Sequence, residues 1–432
     1  MKKFFAVSMA AVVIALSSGI SFSYAGEVYI LLQKLVDKGV LSAGEAQEIK
    51  TETQEQVKKD IASGTSSSLP QWVQNTKLKG DFRVRYQLDH AKPSDSKVTS
   101  DRNRGRIRVR LGVDSKVNDK LGVSVGIATG TTDVTSYDAS RSNNQSFANS
   151  FAKKGLVLNY AYATYSPTPW ATLLAGKMAF GPWAPTDVAW DNDITPEGAV
   201  VILSKNINSK TKLFMNTMGF VLSETEPSTH NAMAYGVQPG IEYQLTDNIS
   251  LKGTFSYFTW QAVKGRLLDG SQATNSRNGQ GLMRAFNTIS PAGQVAFKDP
   301  FKNIGLNLPV LADIPEFAVF GEYYKNTSAS AKNTGFATGF QLGQPKIESW
   351  AQWQFKYVYS MLEKDAVLDI LPDSDRYSGK TGIRAHKGEL SFGLSKNTYL
   401  KFAGFRVWNI NQIGTNRKAP TTVFQADWNM KF

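Results

Sequence analysis

Apolar and polar positions alternate along most of the chain from residue 77 onward. The alternation is clearest between Asp101 and Asp114, where arginine occupies positions 102, 104, 106, 108 and 110. The intervening positions hold Ile107, Val109, Leu111 and Val113. Because successive side chains of a β-strand point to opposite faces, this segment predicts a strand with one arginine face and one aliphatic face. The wall of a transmembrane barrel, with lipid outside and a wet lumen inside, accommodates both.

The same period-two pattern recurs often enough to predict 16 strands over residues 77–432. Short turns alternate with long polar connections, which is the pattern of outer-membrane barrels with periplasmic turns and external loops. The predicted long connections are 89–103, 131–154, 179–196, 262–282, 363–382 and 409–419. The predicted fold class is all-β and transmembrane: a 16-stranded antiparallel outer-membrane β-barrel with a short N-terminal α-helical segment.

Residues 1–76 are predicted to form three segments before the barrel. Lys2 and Lys3, an apolar run and Ser23-Tyr24-Ala25 predict a signal peptide over residues 1–25. Residues 26–62 predict a periplasmic helical or coiled-coil segment, with Gly39 as a stop and a capping box between Ser42 and Glu45. Polar residues 63–76 predict a linker, and 77–432 the barrel domain.

Composition narrows the function classes further. The chain has no cysteine and only three scattered histidines, His90, His230 and His386, so it predicts no metal site and no cofactor. It also offers no nucleophile–base arrangement typical of an enzyme. The formal net charge is +13. For an exported chain, this balance favours anionic solutes or anionic lipid over nucleic acid.

Several motifs carry a resemblance to a known family. They are Gly80 to Tyr86, the arginine ladder to Arg110, Trp190-Asp191-Asn192-Asp193 with Pro196-Glu197-Gly198, and a last strand that ends in Phe432. The alternating residues Trp428, Met430 and Phe432 are typical of the signal read by the barrel-assembly machinery. The chain resembles a family of Gram-negative outer-membrane porins that carry an N-terminal helical segment. The resemblance implies a homotrimeric diffusion channel surrounded by outer-membrane lipid and lipopolysaccharide.

Two groups of residues are expected to govern selectivity. The predicted pore-lining basic ladder comprises Arg83, Arg85, Arg104, Arg106, Arg108 and Arg110. The resemblance further implies that the third external loop, residues 179–196, folds inward as a constriction. Its candidate residues are Trp183, Asp187, Trp190, Asp191 and Asp193, with Glu197 just after the loop. Asp191-Asn192-Asp193 alternatively forms a turn or a weak Ca²⁺ site, because its oxygen ligands occupy alternate positions.

The predicted function is a passive channel for small hydrophilic solutes that favours anions, since guanidinium groups bind phosphate and carboxylate well. The alternative is an outer-membrane scaffold, either a sheath for a redox partner or an envelope tether that uses the N-terminal segment. One feature fits neither reading: Arg384 and His386 share parity with the lipid-facing Gly388 and Leu390. Either a bulge resets the face of this strand, or its end contacts another subunit.

Overall fold

The computed structural model describes residues 32, 34–38, 41–49, 51–52, 55, 74–91, 100–148, 150–224, 230–302, 314–410 and 420–432. The chain divides into two compact units, Met1–Asn75 and Thr76–Phe432. The predicted signal peptide, the predicted stop at Gly39 and residues 63–73 of the predicted linker lie outside the described residues. Within the part of the chain that is described, no helix is long and apolar enough to cross a bilayer.

The first unit contains helical turns at residues 34–37 and 43–49. The capping box predicted between Ser42 and Glu45 is present. The Ser42 backbone N–H donates to Glu45 Oε2 at 2.8 Å, and the Glu45 backbone N–H donates to Ser42 Oγ at 3.3 Å. These reciprocal bonds satisfy two donors at a helix N-terminus that have no partner within the helix.

The second unit is a closed barrel of 16 antiparallel strands, as the alternation predicted. The strands are β1 Thr76–Ala91, β2 Ser100–Lys116, β3 Leu121–Thr129, β4 Leu156–Thr168, β5 Ala171–Lys177, β6 Glu197–Asn206, β7 Thr211–Ser223, β8 Ala232–Thr246, β9 Ile249–Gln261, β10 Phe286–Lys298, β11 Glu316–Asn326, β12 Thr334–Gly343, β13 Trp353–Leu362, β14 Ile383–Ser395, β15 Thr398–Asn409 and β16 Thr421–Lys431. Each strand pairs with its sequence neighbours, and β1 also pairs with β16 from Asp81↔Lys431 to His90↔Thr422, which closes the barrel.

Eight connections emerge at one end of the barrel, which we call the loop end; the opposite end is the turn end. We number these loops L1 to L8 along the chain. They are L1 92–99, L2 130–155, L3 178–196, L4 224–231, L5 262–285, L6 327–333, L7 363–382 and L8 410–420. L2 contains the short helix Asp138–Arg141 and the two-residue strand Gln145–Ser146, which pairs with Arg106 and Ile107 of β2. L5 contains the paired segments Arg277–Asn278 and Gly281–Leu282, and L7 the 3₁₀ turn Tyr377–Gly379.

The first long connection was predicted too long. Residues 89–103 were expected to form a loop, but β1 continues to Ala91 and β2 begins at Ser100. Cross-strand polar contacts hold these ends together: Arg104 Nη2 lies 2.8 Å from Asp89 Oδ2, and His90 Nδ1 lies 2.5 Å from Asp101 Oδ1. Polar composition suggested a loop here, whereas complementary partners on adjacent strands extend the hairpin.

The barrel interior is divided into two chemically different halves. Inward-facing side chains of β6 to β10 form an apolar wall that includes Val200, Met218, Phe220, Phe258 and Trp260, each at most 6% exposed. Leu268 of L5 and Leu371 of L7 pack against this wall. The opposite half, formed by β1, β2 and β14 to β16, carries the charged side chains described below. Loops therefore pack inside the barrel on the apolar side and leave polar space on the charged side.

Candidate functional site

The arginine ladder lies on the inner faces of β1 and β2, where the strand register places like charges side by side. Arg83 is directly opposite Arg108, and Arg85 is opposite Arg106. Directly opposed like charges destabilise a sheet unless other groups offset them. Asp81, on the same face of β1, supplies part of this compensation. Its carboxylate accepts Arg108 Nη2 at 2.8 Å and Arg110 Nε at 2.6 Å.

The remaining ladder arginines have polar partners as well. Arg85 Nε and Nη2 donate to the two carboxylate oxygens of Asp427, on β16, at 2.7 and 2.8 Å. Arg83 donates to the Asn144 side chain in L2 and lies 3.7 Å from the Asp427 carboxylate. Arg106 donates to Gln87 Oε1 at 3.3 Å, while Arg104 pairs with Asp89 as described above. All six predicted ladder residues occupy the same face of β1 and β2, and each one donates to an acceptor, while their role in lining a conducting pore stays a prediction.

L3 crosses the lumen and is held by side chains from the distant wall. Gln238 of β8 accepts the Trp183 N–H and donates to the Trp183 carbonyl, both at 2.9 Å. Lys356 of β13 donates to the Pro185 carbonyl at 2.8 Å. Trp190 stacks on Phe258 with a centroid separation of 5.8 Å. Trp183 and Trp190 therefore anchor the loop to the wall.

The three acidic residues predicted for L3 lie in the interior. Asp187 is 3.1 Å from Lys387 Nζ of β14, and Asp193 is 3.1 Å from Arg110 Nη1. Asp191 Oδ1 accepts the Asp193 N–H at 2.8 Å, which forms the turn proposed for Asp191-Asn192-Asp193. This bond agrees with the turn interpretation, and the role of Asp187, Asp191 and Asp193 as a constriction stays a prediction. Among the described residues, no group of three or more histidine, cysteine or acidic side chains is arranged to hold a metal ion.

Glu197 does not join this group, which corrects its assignment to the constriction. It begins β6 with the parity of the outward-facing Val201, and its side chain is 62% exposed. Its partner is Lys177 of the adjacent β5, at 3.1 Å. Lys177 and Glu197 are cross-strand partners in the β5–β6 register, so a local ion pair holds Glu197 at the sheet surface instead of in the lumen.

L7 is a second inward-folded loop, although the sequence predicted it only as a long external connection. Asp375 accepts Arg85 Nη1 at 2.8 Å through both of its oxygens, and Asp373 lies 3.6 Å from Lys387 Nζ. The fully buried Arg376 donates to Ser360 Oγ of β13 at 2.6 Å and to the Val188 carbonyl of L3 at 3.2 Å. L7 thereby contacts both the charged wall and L3.

A second set of bonds joins L3 and L7 directly. Asp191 Oδ2 accepts the Ser374 N–H at 2.7 Å, and the Asp191 N–H donates to the Leu371 carbonyl at 2.8 Å. The side chain and the backbone of one L3 residue thus contact two L7 residues. This pairing makes the two loops a single inner wall opposite the ladder.

Arg141 of L2 fastens L7 to L5. The Arg141 side chain is completely buried, and its Nη1 donates to the carbonyls of Asp369, Pro372 and Gly379 in L7, at 3.0, 3.3 and 3.2 Å. Its Nη2 donates to the Gly270 carbonyl of L5 at 2.7 Å. Asp369 in turn accepts the Thr274 N–H of L5 at 2.7 Å. One guanidinium thus joins three loops.

Between these loops and the charged wall lies a cavity of about 210 Å³, which we call the charged passage. Its lining includes five cationic side chains: Arg83, Arg85, Arg108, Lys387 and Lys401. It also includes seven carboxylates: Asp187, Asp191, Asp193, Asp373, Asp375, Glu389 and Asp427. A larger cavity of about 710 Å³ lies between L3 and the walls of β1 and β2, and Asp81, Arg110 and Trp183 are among its lining residues.

Burial and neighbouring charges shift the pKa values of the loop carboxylates in different directions. Burial, together with nearby Asp187, raises the pKa of Asp373 to about 7. Burial and the proximity of Asp373 also raise the pKa of Asp191 well above its ordinary value. Burial opposes ionisation of Asp375 too, but the guanidinium groups of Arg85 and Arg83 outweigh it and hold the pKa of Asp375 well below its usual range.

Some residues that line the charged passage were not predicted as site residues, although the sequence contains features that indicate them. L7 carries aspartate at 365, 369, 373 and 375, which is a dense acidic run for a loop beside a cationic wall. Lys387, Glu389 and Asp427 occupy the polar parity of predicted strands. Parity assigns them to the lumen, but only the closure of β1 against β16 brings Asp427 beside Arg85.

The predicted C-terminal signal forms the closing strand. Phe432 exchanges backbone hydrogen bonds with Gly80 of β1, at 2.8 and 3.0 Å. The ring of Phe432 lies over Gly80, where an added Cβ would be 2.6 Å from the ring. Trp428 and Phe432 are outward-facing and exposed. The terminal residue thus completes the barrel, and its role as an insertion signal stays a prediction.

A closed barrel with loops folded inside and a small charged passage belongs to the class of outer-membrane channel proteins. A sequence profile of the family described as "Putative porin" matches residues 38–99, 90–287 and 287–432. The chain therefore belongs to this porin family, which points to a non-enzymatic channel in the outer membrane.

Two solved structures were among those found similar to the chain. Pseudomonas putida OprB, in its high-pH structure, is 9% identical over 86% of this chain and 97% of that chain, with a TM-score of 0.52. A triple mutant of the Rhodopseudomonas blastica porin is 11% identical over 83% of this chain and 100% of that chain, with a TM-score of 0.43. No curated protein sequence matched the chain.

Proposed function

We propose that the protein is a passive diffusion channel for small hydrophilic solutes, with the charged passage as its narrowest part. One observation carries this proposal: five cationic side chains and seven carboxylates line the same cavity of about 210 Å³ inside a closed barrel. Arginines of β1 and β2 form one side, and carboxylates of L3 and L7 form the other. Such an arrangement creates a transverse field that orients dipolar solutes and sorts ions.

An anion preference remains part of the proposal, but we expect it to be smaller than a bare arginine ladder would give. Each ladder arginine donates to an acceptor, and carboxylates outnumber cationic groups in the passage. Burial and nearby Asp187 raise the pKa of Asp373 to about 7, so this carboxyl carries less negative charge near neutral pH than an ordinary carboxylate, and the pKa of Asp191 is raised in the same direction. We therefore propose a weak anion preference at and below neutral pH.

The loops inside the barrel disfavour the sheath alternative. L3, L5 and L7 pack on the apolar wall of β6 to β10, and this packing uses the space that an enclosed redox partner would need. A channel for small solutes is compatible with the same loops, because a polar cavity remains in the charged half of the barrel interior. This argument concerns only the lumen and leaves the N-terminal segment free to act as a tether.

The experiment is a planar-bilayer recording of the purified protein under a salt gradient. We expect stepwise conductance and a small zero-current potential of anion-selective sign. Folded protein that gives no conductance would overturn the channel proposal.

Selectivity is tested by a triple variant in which Arg106, Arg108 and Arg110 become alanine. Because Asp81 and Asp193 then lose their partners, the zero-current potential should move towards cation selectivity. The matched control replaces Lys205, Lys210 and Lys396, three cations at the turn end, with alanine. If the two variants behave alike, the ladder does not set selectivity.

A further inference from the structure

The outer surface of the barrel carries a cluster of cationic side chains that the channel does not use. We define the outer basic patch as Arg384 and His386 of β14 with Arg406 and Trp408 of β15. Arg384, His386 and Arg406 are exposed, whereas Ala385, Lys387 and Val407 between them are buried. The register between β13 and β14 runs without interruption from Ile383 to Phe392. No bulge resets the face, so these side chains point outward from the barrel.

The patch is organised by aromatic side chains. The register places His386 opposite Arg406 and Arg384 opposite Trp408. Both guanidinium carbons lie 5.4 Å from the centroid of the Trp408 ring, so one indole orients two arginines. His386 lies between Tyr359, at 4.9 Å between ring centroids, and Trp408, at 5.6 Å. The Tyr357 hydroxyl is 2.5 Å from His386 Nδ1.

Position along the strands places the patch at the loop end. Arg384 and His386 are within the first four residues of β14, and Arg406 and Trp408 are within the last four of β15. Tyrosine and tryptophan at strand ends form the girdle of a membrane barrel at the level of the lipid head groups. An outward arginine is unfavourable at the bilayer midplane and much less so at this level.

The chain supplies no counter-charge to the patch among the described residues. Neither Arg384 nor Arg406 forms an ion pair with a described carboxylate, and the carboxylates of adjacent L7 are engaged inside, as with Asp375 and Arg85. Among the described residues, the patch therefore presents two arginines without a carboxylate partner, on the face of the barrel that meets the membrane.

We propose that the outer basic patch binds the phosphate of an anionic lipid head group, in the form of a phosphorylated glycolipid of the outer leaflet. Guanidinium forks match the geometry of phosphate oxygens and bind them bidentately. The two arginines stacked on Trp408 are already oriented, so little side-chain freedom is lost on binding. Trp408 and Tyr359 are half-buried beside these arginines, and we expect their accessible edges to contact the sugar and acyl portions of the same lipid.

The test measures lipid binding by native mass spectrometry of the purified full-length protein. The probe is bisphosphorylated lipid A, compared with the same lipid after removal of both phosphates. We expect retention of the phosphorylated form only. The variant R384A/R406A should bind it about tenfold more weakly or worse, because charge-assisted bonds are lost. The matched control, K205A/K210A, removes two exposed lysines at the turn end and should bind as the wild type does.

Each remaining outcome bears on the proposal. Equal binding of both lipid forms by the wild-type protein would overturn it without recourse to any variant. If inorganic phosphate in large excess displaces the lipid, the site binds free phosphate, and the proposal that its ligand is a lipid would be overturned. If R384A/R406A keeps its lipid but loses subunits, the patch is a contact between copies of this chain. Heat-modifiable migration on gels verifies that each variant is folded.

Discussion

Asp375, in L7, accepts both of its short hydrogen bonds from a single nitrogen of Arg85, on β1, at 2.8 Å. The other two nitrogens of the same guanidinium, Nε and Nη2, donate hydrogen bonds to Asp427 of β16. Arg85 therefore joins the first strand, the last strand and an external loop, and its side chain is only 3% exposed. The position of L7 is therefore linked to the pairing of β1 with β16 that closes the barrel.

Replacing Asp375 with asparagine should loosen L7, because the side chain keeps its size but loses the charge that Arg85 requires. We expect a larger single-channel conductance and a shift of the zero-current potential towards anions. The free energy of unfolding should fall by about 1–3 kcal/mol, because the buried Arg85 exchanges a charged carboxylate acceptor for a neutral amide. Asp247→Asn, in an exposed turn, is the control. If both variants give identical recordings, L7 does not border the conduction path.

Arg141→Ala should release L7 and L5 together, since a single buried guanidinium satisfies carbonyls in both loops. We expect a loss of at least about 3 kcal/mol of stability, because several charge-assisted bonds disappear at once. Conductance should become larger and noisier, and limited proteolysis should cut within L5 or L7. Arg102→Ala, which removes an exposed arginine near the beginning of β2, should leave all three measurements unchanged. Wild-type proteolysis in Arg141→Ala would contradict this role.

Sequence alternation predicted the barrel well, because each strand is read from its own residues. The 16 strands and the ladder on the inner faces of β1 and β2 follow from parity and chain order, whereas the inward fold of the third connection was implied by the family resemblance. His386 and Arg384 show the limit of this method. Their parity was correct, but the sequence could not distinguish a bulge from a truly outward cation, because that distinction depends on the register with β13.

The inner loops were less predictable, because their positions depend on partners far away in the chain. Arg141 contacts carbonyls of residues 369, 372 and 379, and carbonyl acceptors leave no mark in a sequence. The apolar interior of β7 to β10 was hidden for a different reason. Phe255 and Tyr257 face outward while Phe258 and Trp260 face inward, so both faces read as apolar. Composition alone therefore could not show where L7 packs.

Gly80→Ala should impair barrel closure. A Cβ at this position would lie 2.6 Å from the Phe432 ring and 2.7 Å from the Arg110 carbonyl oxygen, which is backbone and cannot rotate away. We expect a destabilisation of about 1–3 kcal/mol, typical of an overpacked site, and slower assembly into the heat-modifiable form. The control is Gly404→Ala on β15, where an added Cβ meets nothing within 4 Å. Equal assembly rates of both variants would show that the Gly80–Phe432 contact is dispensable.

Selectivity should depend on pH through the L3–L7 contact. Burial and neighbouring Asp187 raise the pKa of Asp373 to about 7, so its carboxyl is mostly neutral below that pH and negative above it. The raised pKa of Asp191 acts in the same direction. Raising the pH from about 5.5 to about 8.5 therefore adds negative charge to the passage, and the zero-current potential should move from anion towards cation selectivity. Asp373→Asn should flatten this response near pH 7, while Asp247→Asn should retain it. A wild-type channel whose selectivity is constant across this range would show that these carboxyls do not face the permeating ions.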